Sequence, residues 1–218
     1  VTAEDATEHL WTVTVTVDDG LLAHYTFDNT FDDTSGNGNN GTESGGVSFG
    51  MDRFGNANNA ASFDGVDDYI TTPSEYTNNL SSGSISLWVI FDDFSDYHNL
   101  FAKQDGSLRS QLSTSLGGEI YFTLDYSGST DVDYSNEAGN LLSWTHAVYT
   151  WDGTNKRIFI NGQENIAIAS SLGTTSTGDL LIGRNQGVGS ADYEFMLGAI
   201  DDFKFYNRAL SSSEITDL

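Results

Sequence analysis

From Leu21 onward the chain is built almost wholly of short period-two runs punctuated by Gly, Asn, Asp and Ser. The runs are LLAHYTF, AASFDG, DYITTP, SISLWVIF, NLFAKQ, EIYFTLDY, THAVYTW, KRIFINGQ, DLLIGR and AIDDFKFYN. In SISLWV, Ile85, Leu87 and Val89 alternate with Ser86 and Trp88; in DDFKFYN, Phe203 and Phe205 alternate with Lys204 and Tyr206. Side chains of a strand point to opposite faces in turn, so each run buries one face and must find a second sheet to bury it against. Many short strands joined by turn residues specify an all-β sandwich or barrel. With 23 Gly and a single Pro, the turns are made by Gly, Asn, Asp and Ser. TWDGTNKRIFINGQ reads as a hairpin that turns at Asp152-Gly153 and again at Asn161-Gly162. The one helix signal is ALSSSEITDL, a Ser followed three residues later by Glu214, the pattern of a capping box.

Residues 1–20 read differently. HLWTVTVTV is a strand with one buried face, and DDG turns the chain after it. The pair VTAEDAT and HLWTVTVTV is similar to the closing hairpin of an immunoglobulin- or cadherin-like module. The expected organisation is therefore a remnant of a preceding module at 1–20 and one domain at 21–218, which is long enough for a substantial core. The alternative assigns the strand to the main domain.

Charge narrows the partners. Eight Lys and Arg stand against 32 Asp and Glu, a formal net charge of −24. Such a surface is a poor partner for nucleic acid or an anionic membrane, and no apolar run is long enough for a membrane helix. Calcium or a salt-rich medium suits it better. There are no cysteines, which excludes disulfides, thiol nucleophiles and Cys-ligated zinc, and the four histidines (His9, His24, His98, His146) lie far apart in sequence.

The most conspicuous polar stretch is HYTFDNTFDDTSGNGNNGT, residues 24–42. Asp33-x-Ser35-x-Asn37-Gly38 has the spacing that opens a calcium loop, but Ser44 stands where an EF-hand carries its bidentate Glu, and no helices flank it. The same residue types also make plain Asx turns.

Five segments in fixed order carry a family resemblance: LLAHYTFDNTFDDTSGNGNNGT, FGNANNAASFDGVDDYITTP, SISLWV, SWTHAVYTWDGTNKRIFINGQ and GAIDDFKFYNRALSSSEI. Together they resemble the concanavalin A-like, laminin-G/pentraxin-type jelly-roll domain of bacterial and archaeal surface proteins, over about residues 21–218. The resemblance implies two antiparallel sheets of about six or seven strands, with the first and last strands side by side. It also implies a structural calcium held by an acidic residue after the first strand and an Asp at the start of the last. Here these are Asp28 and Asp201, joined by oxygens from Asp33, Asn37, Asn39 and Gly41. Asp67 and Asp68 of the FDGVDDY hairpin are expected to cap turns or face solvent, with metal ligation as the alternative. Calcium-dependent or direct glycan binding is implied at the loop edge of the other sheet, by Gln104, Asp105, Asn185, Gln186 and Asp192, with Tyr97, Tyr126 or Tyr193 stacking on a sugar face. Trp88, Trp144 and Trp151 are expected to pack in the core or at strand edges.

Catalytic patterns are absent. The Glu-x-Asp-x-x-Glu strand of laminarinase-type glucanases is missing, as are the Arg-x-Glu-x-Arg and Gln-x-His strands of the lyase relatives and any Gly-x-Ser-x-Gly elbow. The expectation is a non-catalytic, extracellular carbohydrate-binding or adhesion module, calcium-stabilised and monomeric when isolated. A structural or protein-binding spacer is the alternative, with a polysaccharide-cleaving enzyme behind both.

Overall fold

The computed structural model describes residues 18–105, 108–126, 129–138, 142–169, 177–185 and 194–218, with backbone only at parts of the strands between 104 and 138. The strand expected within residues 9–17 lies outside them. Fifteen strands follow in chain order: β1 (Leu21–Tyr25), β2 (Thr42–Ser44), β3 (Ser48–Gly50), β4 (Ala60–Asp64), β5 (Tyr69–Thr72), β6 (Gly83–Phe91), β7 (Asn99–Asp105), β8 (Leu108–Thr114), β9 (Glu119–Tyr126), β10 (Ser129–Ala138), β11 (Thr145–Trp151), β12 (Asn155–Ile160), β13 (Gln163–Ala169), β14 (Leu180–Ile182) and β15 (Leu197–Tyr206). One helix, α1 (Ser212–Thr216), closes the chain.

The strands form two antiparallel sheets, as the alternating runs require. One has eight strands in the order β13-β12-β11-β6-β15-β4-β3, with β1 also on β15; the other has seven, β10-β9-β8-β7-β14-β5-β2. The first and last strands do lie side by side, with Tyr25 opposite Phe203 and His24 opposite Lys204. The eight-stranded sheet exceeds the expected six or seven because short β3 and edge strand β13 extend it. β13 keeps much of its surface in water, so its sequence carries only a weak apolar signal.

The core lies between the sheets. Ile85, Leu87, Val89 and Phe91 of β6 face Leu112, Ile120 and Phe122 of the opposite sheet within one cluster of buried side chains. Phe122 and Tyr149 stack across the two sheets, ring centroids 3.6 Å apart and 12° from parallel. Trp151 belongs to this core, as expected, whereas Trp88 lies on the outer face, stacked on His146 at 4.9 Å. A second apolar cluster, Val148, Phe159, Tyr206, Leu210 and Ile215, sits on the outer side of the eight-stranded sheet, where α1 covers it. Ile215 is 1% exposed, a burial that stabilises by roughly 1.5–3 kcal/mol. The capping box fixes the start of α1: Ser211 Oγ accepts from Glu214 N, and the Glu214 carboxylate accepts from Ser211 N at 2.8 Å.

Candidate functional site

Three polar constructions stand out from the apolar sandwich. The first is a bulge in β15. Up to Ile200 this strand pairs with β4, and beyond the bulge it pairs with β1. Its register against β6 shifts between Asp201 and Lys204, and Asp202 takes φ +56°. A bulge lets consecutive side chains share a face, and here Asp201 and Asp202 both meet Arg53. The guanidinium donates to Asp201 Oδ2 at 2.5 Å and to Asp202 Oδ2 at 3.1 Å, and it lies over the rings of Phe54 and Trp88. Asp202 also pairs with His24 Nε2 at 2.5 Å and with Lys204 Nζ at 3.1 Å. Burial pushes the Asp201 carboxyl up to about 6, outweighing the Arg53 ion pair. Burial acts on Asp202 as well, but the His24 hydrogen bond and the Lys204 charge hold it well below the usual carboxylate range. Burial, helped by Lys204, brings His146 down to about 4.

Asp28 and Asp201 do line one cleft of about 170 Å³, together with Thr26, Asp52, Arg53, Phe54 and Asp202. The juxtaposition expected from the strand pairing is therefore present. Asp201, however, already has a cation in Arg53, and Asp33, Asn37, Asn39 and Gly41 are not among the cleft's walls.

Those loop residues form the second construction. β1 pairs only with β15 among the described strands, so its other edge offers unpaired backbone groups. The loop bonds to that edge. Asp33 Oδ1 accepts from His24 N at 2.9 Å, Thr34 N donates to His24 O, and the Asn37 and Asn39 amides donate to Leu22 O. The other bonds to Asp33 come from Ser35 N, Ser35 Oγ and Asn39 N. Burial is outweighed by these donors, which hold its carboxyl below the usual range. Gly41 N donates to Phe31 O, closing the loop.

The third construction lies on the outer face of the seven-stranded sheet. Leu112 points into the core, so its neighbours Gln111 and Ser113 point away from it. They are nonetheless buried, in a chain of amides and one carboxylate. Gln111 Nε2 donates to Ser113 Oγ at 2.6 Å, and Ser113 Oγ to Asn99 Oδ1 at 2.7 Å. Asn99 Nδ2 and Asn185 Nδ2 both donate to Glu194 Oε2, at 2.5 and 3.1 Å. Glu194 N returns a bond to Asn185 Oδ1, and Arg184 pairs with Phe195 in an isolated bridge. Gln111 Oε1 has no partner.

Of the residues expected at a glycan edge, Asn185 is part of this network. Gln104 and Asp105 end β7 and Tyr126 ends β9, but nothing is described of their side chains. Gln186, Asp192 and Tyr193 lie outside the described residues. Tyr97 is a half-exposed residue of the β6–β7 connection, 37% accessible.

Arg53, His24 and Asp202, and with them Asn99, Ser113 and Glu194, were not singled out by the sequence. Their partners lie up to 178 positions away, so no local spacing announces them. The only available signal was scarcity: with eight basic residues in the chain, each one folded among carboxylates is a candidate organiser.

A family model described as the concanavalin A-like lectin/glucanases superfamily, Laminin_G_3, matches residues 64–216. Among solved structures, the chain is similar to domain 4 of AbnA, a GH43 extracellular arabinanase from Geobacillus stearothermophilus, in complex with arabinotriose. The identity is 24% and the TM-score 0.72, over 90% of this chain and 97% of that one. It is also similar to the binding domain of Paraclostridial Mosquitocidal Protein 1, at 17% identity and TM-score 0.73, over 93% of this chain and 52% of that one. A third likeness is to botulinum neurotoxin type C, whose cell entry depends upon interaction with two ganglioside molecules. There the identity is 16% and the TM-score 0.71, over 92% of this chain and 51% of that one. The chain thus spans about half the length of those two toxin chains. At such identities the likeness is one of fold. No curated protein matches the sequence.

Proposed function

This chain belongs to the concanavalin A-like lectin/glucanases superfamily, and we propose that it is a non-catalytic carbohydrate-binding module that works outside the cell as a monomeric unit. Its glycan surface is the outer face of the seven-stranded sheet, around Asn185 and Glu194. The observation that carries this reading is the amide–carboxylate network there. Two amide N–H groups from separate parts of the chain fix one oxygen of Glu194, and its other oxygen is left to accept a sugar hydroxyl. Ser113, fully buried, holds the equally buried Asn99 amide from below by donating to its Oδ1, and Glu194 N holds the Asn185 amide in the same way. Preoriented amides and carboxylates are what hydroxyl recognition needs. The solved arabinanase domain in complex with arabinotriose supports a sugar as the ligand class and an extracellular setting.

The non-catalytic reading rests on the same network. Glycoside hydrolysis takes two carboxyl groups roughly 5–10 Å apart, and among the described side chains this network contains one, Glu194. No helix among the described residues is long and apolar enough to cross a membrane.

Calorimetric titration with arabinotriose, beside a glycan array, tests the proposal. Saturable binding that weakens at least tenfold in both Glu194→Gln and Asn185→Ala is expected. A blank array and flat titrations with the folded wild-type chain would refute it. The alternative of a protein-binding spacer has an observation of its own: Met51 and Phe54, on the β3–β4 connection, are 68% and 75% exposed. A blank array would move the reading there.

A further inference from the structure

The FDGVDDY segment is not the hairpin the sequence suggests: β4 and β5 belong to different sheets, and the connection that crosses between them gathers three carboxylates that the glycan surface does not use. Asp64, Asp67 and Asp68 each place an oxygen within 4.8 Å of the others. Asp64 and Asp67 are exposed, whereas Asp68 is 3% exposed. Two hydrogen bonds shape the group. Asp64 N donates to Asp68 Oδ2 at 2.9 Å, and Val66 N donates to Asp64 Oδ1 at 2.8 Å. The remaining oxygen of the buried residue, Asp68 Oδ1, has no partner at all.

The wall opposite is made of glycine. Gly45 packs so closely that a Cβ on it would lie 2.2 Å from the Asp67 carbonyl oxygen and 2.8 Å from Asp68 Cα. Gly46 leaves space instead: a Cβ there would meet only Asp68 Oδ1 within 4 Å, at 3.8 Å. The unpartnered oxygen therefore looks into a small gap with carboxylates on one side and glycine backbone on the other.

A buried carboxylate oxygen with no donor is costly, and two further carboxylates beside it raise that cost. A bound water, a proton or a cation would relieve it, and the two further carboxylates beside it favour the cation. We infer that the Asp64–Asp67–Asp68 cluster is a divalent-cation site that takes calcium. The donors are hard oxygens, with neither imidazole nor thiolate among them, which selects calcium or magnesium over zinc or copper. A loop that offers carboxylates from three positions, with water completing six to eight oxygens at about 2.3–2.6 Å, suits calcium better than the stricter octahedron of magnesium. Bound there, the ion would stiffen the β4–β5 connection where it passes from one sheet to the other, beside the Gly45–Gly46 turn between β2 and β3.

The test uses the 218-residue chain, stripped with chelator and titrated with calcium chloride alone, by calorimetry and by thermal melting. Binding of one calcium per chain with a rise in Tm of a few degrees is expected. Asp67→Asn alters an exposed residue and should fold normally; it should weaken calcium affinity at least tenfold while leaving the chelated Tm nearly unchanged. Asp28→Asn, in the separate Arg53 cleft, should bind calcium as wild type does. The inference is overturned if wild type gives neither heat nor a Tm shift. It is equally overturned if Asp67→Asn binds like wild type, or if the response disappears in Asp28→Asn while Asp67→Asn keeps it.

Discussion

Replacing Arg53 with Met keeps the aliphatic stem and removes the charge that faces the β15 bulge. The side chains of Arg53, Asp201 and Asp202 are only 17%, 6% and 13% exposed, so solvent cannot compensate for the loss. Asp202 keeps His24 and Lys204, so the orphaned group is Asp201. Breaking a buried pair by removing one partner costs roughly 3–5 kcal/mol, and with a single carboxylate orphaned the lower figure, about 3 kcal/mol, applies. For a chain of this size each kcal/mol moves Tm by about 2–4 °C, so Arg53→Met should melt roughly 6–12 °C lower at pH 7.5. Asp201 is already pushed up to about 6 by burial, and without Arg53 it will take a proton more readily still. The loss should therefore shrink at pH 5, and Asp201→Asn in the Arg53→Met background should recover most of it at pH 7.5. Circular dichroism melts of the three proteins at the two pH values suffice. A drop under about 2 °C at pH 7.5, or an equal drop at both pH values, would show that Arg53 is not the counter-ion on which this part of the sheet depends.

Two groups on that outer face respond to acid in opposite directions. Asp201, raised to about 6, contributes stability that is full below its unfolded value near 3.8 and gone as pH rises through 6; His146, lowered to about 4, contributes stability that is full above 6.5 and lost as pH falls through 4. Between pH 6 and 4 they offset each other, so Asp201→Asn should lose stability more steeply than wild type on acidification, by on the order of 2–3 kcal/mol, and parallel Tm–pH curves would contradict this. Asp33→Ala removes the acceptor of four hydrogen bonds and should cost about 2 kcal/mol while speeding hydrogen exchange at the His24 amide. The cost should be equal in chelator and in calcium; a cost that appears only in calcium would return the loop to the role of a metal site.

The sandwich itself was legible because period-two burial is a property of neighbouring residues. Ile85, Leu87 and Val89 announce a core face whatever lies opposite, and Ser211 with Glu214 announce a helix start within four residues. β8 was missed for the converse reason. In LRSQLST, Gln111 and Ser113 occupy buried positions, so the polar alternation that usually marks a solvent face here marks a hydrogen-bonded layer. The pairing of Asp28 with Asp201 could be anticipated from strand order, but the bulge at Asp202 could not. Two adjacent aspartates give no sign that a positive φ will turn both toward one guanidinium.

The loop from Asp33 to Gly41 shows why oxygen-rich sequence alone leaves calcium undecided. A carboxylate in an Asx-rich turn can accept backbone N–H groups or coordinate a cation, and the residue types for the two tasks are the same. What separates them is the supply of orphan donors nearby. β1 has a free edge, and its His24 amide and the loop's own amides saturate Asp33. Around Asp68 the supply fails: a single amide, that of Asp64, reaches one oxygen and none reaches the other. By this reasoning the place to look for a cation in an acidic β-sandwich is not the loop richest in Asp and Asn. It is the carboxylate that the backbone has left unanswered, and in this chain that carboxylate lies in a connection between the two sheets whose sequence, FDGVDDY, reads as an ordinary turn.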